Sequence, residues 1–268
     1  MHWPDKSYSL AVINVNLVED MMGLPVLYGV PFSQPVRAVV WSMLLKKAPF
    51  RFVISMPGSN IKNGSKSPEY LARFPGGTVP CYEEPDTGFS LGESNAIMTY
   101  LANSHGWEDL YPGNPKDRAL IDSYLHFHHR NVREGSTLVA TRVRPDLVFP
   151  ESTVRLAEKN FRSALGVIEN YFLTKNDYLI FDRPTIADIS AYAEIGQMQP
   201  HYTDVFDLAE FPNVGLWLKR MAELSGYEAA HKSLEVLGSI RDEAPDMDSM
   251  KKSTIAGVKA ISEAVDSL

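Results

Sequence analysis

The stretch FPGGTVPCYEEPDTGFSLGESNAIMTYLA, Phe74 to Ala102, sets a turn, two short strands and a helix in close succession. Val79-Pro80 opens a strand that runs to Glu84. Pro85-Asp86-Thr87-Gly88 has the composition of a hairpin turn, and Phe89-Ser90-Leu91 forms the returning strand. Proline is tolerated at the first residue of a strand. An X-Pro bond here could also be cis, which would turn the Val79 backbone outward and leave its N–H and C=O free for a ligand. Ala96, Ile97, Tyr100 and Leu101 then fall on one face of a helix that starts at Glu93-Ser94. On spacing alone, Glu93 and Ser94 read first as helix caps. A second reading stays open, because a helix start attracts a carboxylate and the Glu93 side chain attracts an amine. Together these would hold an amino-acid head.

Gly77-Thr78-Val79-Pro80, the hairpin, and Glu93-Ser94-Asn95-Ala96-Ile97 followed by Tyr100-Leu101 resemble the glutathione-binding half of the cytosolic glutathione transferases. The resemblance implies a thioredoxin-like α/β domain in which Pro80 is cis. It also implies that the Val79 backbone pairs with the cysteinyl part of glutathione, while Glu93 and Ser94 hold its γ-glutamyl group. Thr78, Val79, Pro80, Glu93 and Ser94 are the candidate glutathione-binding residues on this segment.

A chain of 268 residues has room for two modest domains. A net charge of −7 argues against a dedicated nucleic-acid surface or an anionic membrane as partner. Its one cysteine, Cys81, can form no intramolecular disulfide and fits a reducing, cytoplasmic location. Residues 1–23 read as a peripheral extension, since Asn14, Asn16, Glu19 and Asp20 spoil the apolar run a signal peptide needs.

From Leu24 the pattern becomes regular. Leu24 to Gly29 is a strand, and Val36, Val39, Val40, Met43 and Leu44 recur at helical spacing with Pro35 in the first turn. Phe50 to Ile54 is a second strand, and Pro68 to Ala72 can make a short helix. With the opening segment this gives β-α-β-α-β-β-α over residues 24–105, the thioredoxin-like order. A linker around Tyr111 to Pro115 follows, and residues 115–240 read as an all-helical domain. The spacing predicts one helix from Arg118 to Arg142, another from Glu151 to Phe172 and a third from Val214 to Ser225. Thr185 and Asp188 form an acidic capping box, whose role is folding. Residues 241–268 begin polar, and Ile255, Val258, Ile261 and Val265 then suggest an amphipathic helix, either frayed on the surface or a cap.

Turning a thiol of pKa about 8.5 into a thiolate calls for a hydrogen-bond donor at the sulfur. Ser33 is the candidate. On local sequence it reads as the N-cap of the first helix. Phe32-Ser33-Gln34-Pro35-Val36-Arg37-Ala38, however, resembles the Ser-Gln-Pro-x-Arg-Ala run of the theta class, whose serine activates glutathione. Tyr28 is the rival donor but lies within a strand, and Cys81 follows Pro80 where a thiol is expected to be buried and inert. The family's loop often carries a histidine for the glycyl carboxylate. Ser65 stands there in this chain, and Lys66 or Lys62 would substitute. The group His126, His128, His129, Arg130 and Arg133 lacks zinc-like spacing, so no metal is expected; a solvated or interdomain face is the default reading, with some of these side chains as candidates to border a second-substrate pocket.

The resemblance implies a theta-like glutathione S-transferase, a homodimer that takes glutathione as co-substrate and conjugates it to small electrophiles in detoxification chemistry. Two other readings stay open: a non-catalytic interaction or assembly module on the same fold, and a glutathione-dependent isomerase or dehalogenase.

Overall fold

Alternation along β1 (Val26–Gly29) sorts the first half of the molecule into layers. Leu27 turns to one face of the sheet and Val26 and Tyr28 to the other. β1 pairs in parallel with β2 (Arg51–Ile54) and antiparallel with β3 (Cys81–Glu84). β3 pairs antiparallel with β4 (Phe89–Gly92), so the sheet order is β2-β1-β3-β4. On one face, Leu27 and Tyr82 pack against Val36 and Val39 of α1 (Gln34–Leu45) and Ile97 and Leu101 of α3 (Ser94–His105). On the other, Tyr70 of α2 (Pro68–Arg73) and Phe74 close over Val26, Tyr28 and Cys81. This is the thioredoxin-like arrangement expected from the sequence. The computed structural model describes residues 23–268 apart from Pro145. The extension expected over residues 1–23 therefore lies, Gly23 excepted, outside the described residues.

The second half is helical: α4 (Pro115–Arg130), α5 (Gly135–Val143), α6 (Glu151–Val167), α7 (Ile186–Ile195), α8 (Pro212–Ala222), α9 (Tyr227–Leu237) and α10 (Met247–Asp266). Every residue of α7 is buried, and it packs directly against α1, so one apolar core runs through both halves. The Thr185–Asp188 box starts this helix. Asp188 accepts from the Thr185 backbone and hydroxyl, each at 2.9 Å, and reaches beyond the box to Leu179 N and Trp217 Nε1. One carboxylate thus pins three segments, a role larger than a cap alone would give it.

The helix expected from Arg118 to Arg142 is two helices. Asn131 leaves the helical region at φ −126°, ψ −67°, and its side-chain amide donates to the Phe127 carbonyl at 2.8 Å, ending α4. A short tight turn over Val132–Glu134 then redirects the chain into α5. Asn competes well with helix propagation through such local bonds, and no periodicity argument detects it. The tail also differs from a frayed helix. Asp246 caps α10 by accepting from Ser249 N at 2.7 Å, so the helix starts at Met247, eight residues before the apolar spacing that begins at Ile255. α10 lies along α9, where the buried hydroxyls of Ser233 and Ser253 are 2.9 Å apart. Gly257 lets it approach closely, since a Cβ there would sit 2.7 Å from Pro31 Cβ and 2.8 Å from Ser233 Cβ.

Candidate active site between the two halves

The turn after β1 is Val30-Pro31-Phe32-Ser33, closed by Ser33 N–H to the Val30 carbonyl at 3.0 Å, with Pro31 at the turn position where its fixed φ fits. Ser33 immediately precedes α1 in an extended conformation, and its side chain makes no capping bond to the helix. Ser33 instead forms part of the wall of a cavity of about 1220 Å³ that lies between the sheet edge, α5 and the start of α10. Val30, Phe32, Phe52, Val139, Val143 and Met250 give that cavity its apolar lining.

A second cavity of about 250 Å³ adjoins it, lined by Thr78, Val79, Pro80, Glu93, Ser94 and Asn95 on one side and by α4 and α7 on the other. Gln34, Thr78, Val79 and Arg133 border both, so the two form one cleft. The Val79-Pro80 bond is cis. Among the described residues the N–H and C=O of Val79 form no hydrogen bond within the chain. The Thr78 carbonyl is held by the Tyr70 hydroxyl at 2.7 Å, which fixes this edge from below.

Glu93 stands at the N-cap of α3 with φ +67° and ψ 111°, a conformation that side-chain-bearing residues adopt only under constraint. Its carboxylate makes no capping bond, and the N–H groups of Ser94, Asn95 and Ala96 precede the first intrahelical bond, from Ile97 N to the Glu93 carbonyl. The cleft therefore offers a free carboxylate beside a helix N-terminus, complementary to an ammonium and a carboxylate on one carbon.

Lys66 lies at the edge of the larger cavity, its ammonium 3.4 Å from the Gly76 carbonyl. Gly77, at φ +59°, makes room for it, because a Cβ there would meet Lys66 Nζ at 2.5 Å. Lys62 lines the same cavity. Ser65 does not, since it is fully buried and its hydroxyl accepts from Gly58 N–H at 2.9 Å.

The rival groups are occupied or closed off. The Tyr28 hydroxyl donates to Glu83 at 2.8 Å and accepts from Arg73 at 2.9 Å on the α2 side of the sheet, and burial raises its pKa. The Cys81 thiol is buried and pushed up to about 11, chiefly by desolvation. Of the histidine group, His128, His129 and Arg133 border the smaller cavity. His128 is buried and held neutral, its pKa lowered to about 3 by desolvation and then by Arg133 and His129. Among the described residues no three His, Cys, Asp or Glu side chains converge on a common metal position, and no helix is long and apolar enough to cross a membrane.

The description "Glutathione S-transferase, N-terminal domain" matches residues 27–115, and "Glutathione S-transferase, C-terminal domain" matches residues 139–220. Glutathione S-transferase D7 of Drosophila melanogaster is 30% identical over 214 residues, covering 78% of this chain and 89% of that protein. The chain belongs to the glutathione S-transferase family. Glutathione S-transferase 1 of Manduca sexta is similarly related, 32% identical over 75% of this chain and 89% of its own length. In fold, human glutathione transferase theta-2, solved with glutathione and an unknown ligand, superposes with a TM-score of 0.70 over 90% of this chain and 98% of that one, at 24% identity. The curated relatives named here are insect enzymes, whereas theta-class proteins stand among the structural neighbours.

Within this family frame, the sequence did not single out Asn95, Ser190 and Glu194. Ser190 donates to Asn95 Oδ1 at 3.0 Å across the two halves. Glu194 is buried at the border of the smaller cavity, bonded to Arg133 at 3.0 Å and to Ser136 at 2.8 Å. A signal existed: Ser190 and Glu194, four residues apart, are the polar face of an otherwise apolar stretch after the capping box.

Proposed function

We propose that this glutathione S-transferase is of the serine type, with Ser33 as the group that activates the thiol, and that it resembles the theta class in this respect. The observation that carries the reading is Ser33 itself: its hydroxyl is unused as a helix cap, and the residue lines the same cleft as Val79, whose backbone is free. In this reading the γ-glutamyl head enters the smaller cavity, its ammonium at Glu93 and its carboxylate at the start of α3 with Ser94. Thr78, Val79 and Pro80 align the cysteinyl part by backbone hydrogen bonds. The glycyl carboxylate lies toward Lys66, with Lys62 nearby.

The sulfur then reaches the border of the two cavities beside Ser33, where the hydroxyl donates to it and the α1 N-terminus favours its negative form. The thiolate attacks an electrophile held by the apolar walls of the larger cavity: at carbon it forms a C–S bond as the leaving bond breaks or the double bond takes up the electron pair, and at a peroxide it forms an S–O bond as the O–O bond breaks. Holding both reactants in one cleft supplies much of the acceleration. A homodimer with closed two-fold symmetry and a cytoplasmic location complete the proposal.

Retention on immobilised glutathione, followed by turnover assays with an alkyl halide, an organic peroxide and an activated alkene, tests the reading. Retention together with conjugation of at least one acceptor is the expected outcome. Retention with no turnover across the panel would favour a non-catalytic module instead. Sedimentation at micromolar concentration should show a dimer, and a strict monomer would contradict that part.

A further inference from the structure

Arg37 lies one turn into α1 and is completely buried, yet among the described residues it enters no ion pair. Its guanidinium donates to the Phe32 carbonyl and, at 2.6 Å, to the Ala193 carbonyl of α7, while its Nε has no partner. Sinking a cation this far is expensive, and an apolar side chain of the same size would pack at least as well. What surrounds it offers little neutralisation. Its titratable neighbours are the hydroxyls of Tyr192 and Tyr202, whose pKa values burial raises, the hydroxyl of Tyr227, and His231, whose pKa burial lowers. Glu194 is the carboxylate facing it; burial raises its pKa while Arg133 and Ser136 favour its charged form, and it bonds to Arg133, Ser136 and Gln197.

The two carbonyls show what the cation is placed to do. The Phe32 carbonyl belongs to the peptide whose nitrogen is that of Ser33. The N–H end of this peptide is fixed by the Val30 carbonyl at 3.0 Å, and the Ser33 carbonyl accepts from Arg37 N–H at 2.9 Å. The peptide from which the Ser33 side chain projects is therefore held at both ends and tied to α7. We infer that Arg37 is a positioning residue for thiol activation, which clamps the Phe32–Ser33 peptide and sets a buried positive charge beneath Ser33, with Glu194 as the opposing charge that tempers it.

The inference rests on the proposed role of Ser33 and is separable from it by titration of bound glutathione. Thiolate absorbance is followed against pH at saturating glutathione in wild type, Arg37→Gln and Glu194→Gln. Removing the cation should raise the midpoint by about one pH unit, a tenfold loss of thiolate at a fixed pH below it. Removing the opposing anion should lower the midpoint by several tenths of a unit, and glutathione affinity in Arg37→Gln should stay within about threefold of wild type because Arg37 does not border the cleft. A purely structural strut between the halves predicts no such opposite pair of shifts. Equal midpoints, or shifts of the same sign, overturn the inference.

Should Arg37→Gln fail to fold, Glu194→Gln made together with Arg133→Met decides. With the cleft-facing cation gone, Glu194 still acts on the thiolate both directly and through Arg37, so a lowered midpoint relative to Arg133→Met alone is the expected result, and an unchanged or raised one contradicts the inference. If wild type itself binds glutathione without lowering its thiol pKa, the serine-type reading falls first and this inference falls with it.

Discussion

The imidazole of His231 donates through Nδ1 to the Tyr227 carbonyl at 2.9 Å, which leaves Nε2 as a buried lone pair with no partner. Protonating Nε2 would place a second cation among the rings of Trp41, Tyr192 and Tyr227, close to Arg37. Burial holds both His231 and His128 at a pKa of about 3, against 6.5 for a free imidazole. Because the folded value lies below the unfolded one, the unfolded chain takes up these protons first as pH falls. The two residues therefore leave stability intact above about pH 6.5 and erode it progressively toward pH 3. At pH 5 the loss is at most about 2 kcal/mol for each histidine. Urea unfolding at pH 7 and pH 5 should show this, and His231→Phe should remove roughly half of the difference. Parallel wild-type and variant curves would count against it.

Glu93 sets function against stability at a single backbone position. Its φ of +67° is one that glycine adopts freely and alanine does not. Glu93→Gly should therefore be more stable than Glu93→Ala by about 1 to 2 kcal/mol. Both should lose glutathione affinity by about tenfold or more, as expected when a charge-assisted bond to an ammonium is deleted. Calorimetric binding and denaturant melts on the pair read the two effects separately. Equal stabilities would show that the backbone there is unstrained, and unchanged affinity would remove Glu93 from the site.

The close approach of α10 to the serine turn gives a third expectation. Gly257→Val would drive side-chain atoms into Pro31 and Ser233, so α10 should lift from the turn. A stability loss of about 1 to 3 kcal/mol is expected from overpacking. Turnover should fall more for bulky acceptors than for small ones, since Met247, Met250 and Ile255 of α10 wall the larger cavity. Deleting residues 241–268 outright should do more than trim a surface helix, because Ser253 and Ile261 are buried against the body of the protein. Melting temperature and a size series of acceptors measure both effects. An unchanged melting temperature in Gly257→Val would mean that the contact yields without strain.

What could be read from the sequence follows the range of the interactions involved. The segment from Phe74 to Ala102 was legible because a hairpin turn, strand alternation and a helix start are each decided within a few residues. The Thr185–Asp188 box was legible for the same reason. The helix break at Asn131 was missed because the apolar spacing runs on through it, while one side-chain amide ends the helix. Helix α9 was overlooked although Ala230, Leu234 and Leu237 have helical spacing, since Gly226 and Gly238 crowd a short pattern. The wall made by His128, Arg133 and Glu194 depends on α4 meeting α7, a contact between residues some sixty positions apart. Local pattern carries no record of such a contact.

The central claim is that the Ser33 hydroxyl holds bound glutathione as thiolate. Ultraviolet difference titration of the bound thiol in wild type and Ser33→Ala tests it most directly. A free thiol of pKa about 8.5 is only a few per cent ionised at pH 7, and a depression of roughly 2 units raises the thiolate population some twenty-five-fold at most. Part of that gain is lost as lower nucleophilicity, so turnover in Ser33→Ala should fall by about one to two orders of magnitude. The account predicts that the bound thiol of wild type ionises about two units below the free thiol. It further predicts that Ser33→Ala moves the midpoint back up by one to two units while glutathione affinity stays within about threefold. The same midpoint in both proteins would contradict it and pass the activating role to another donor at the cleft.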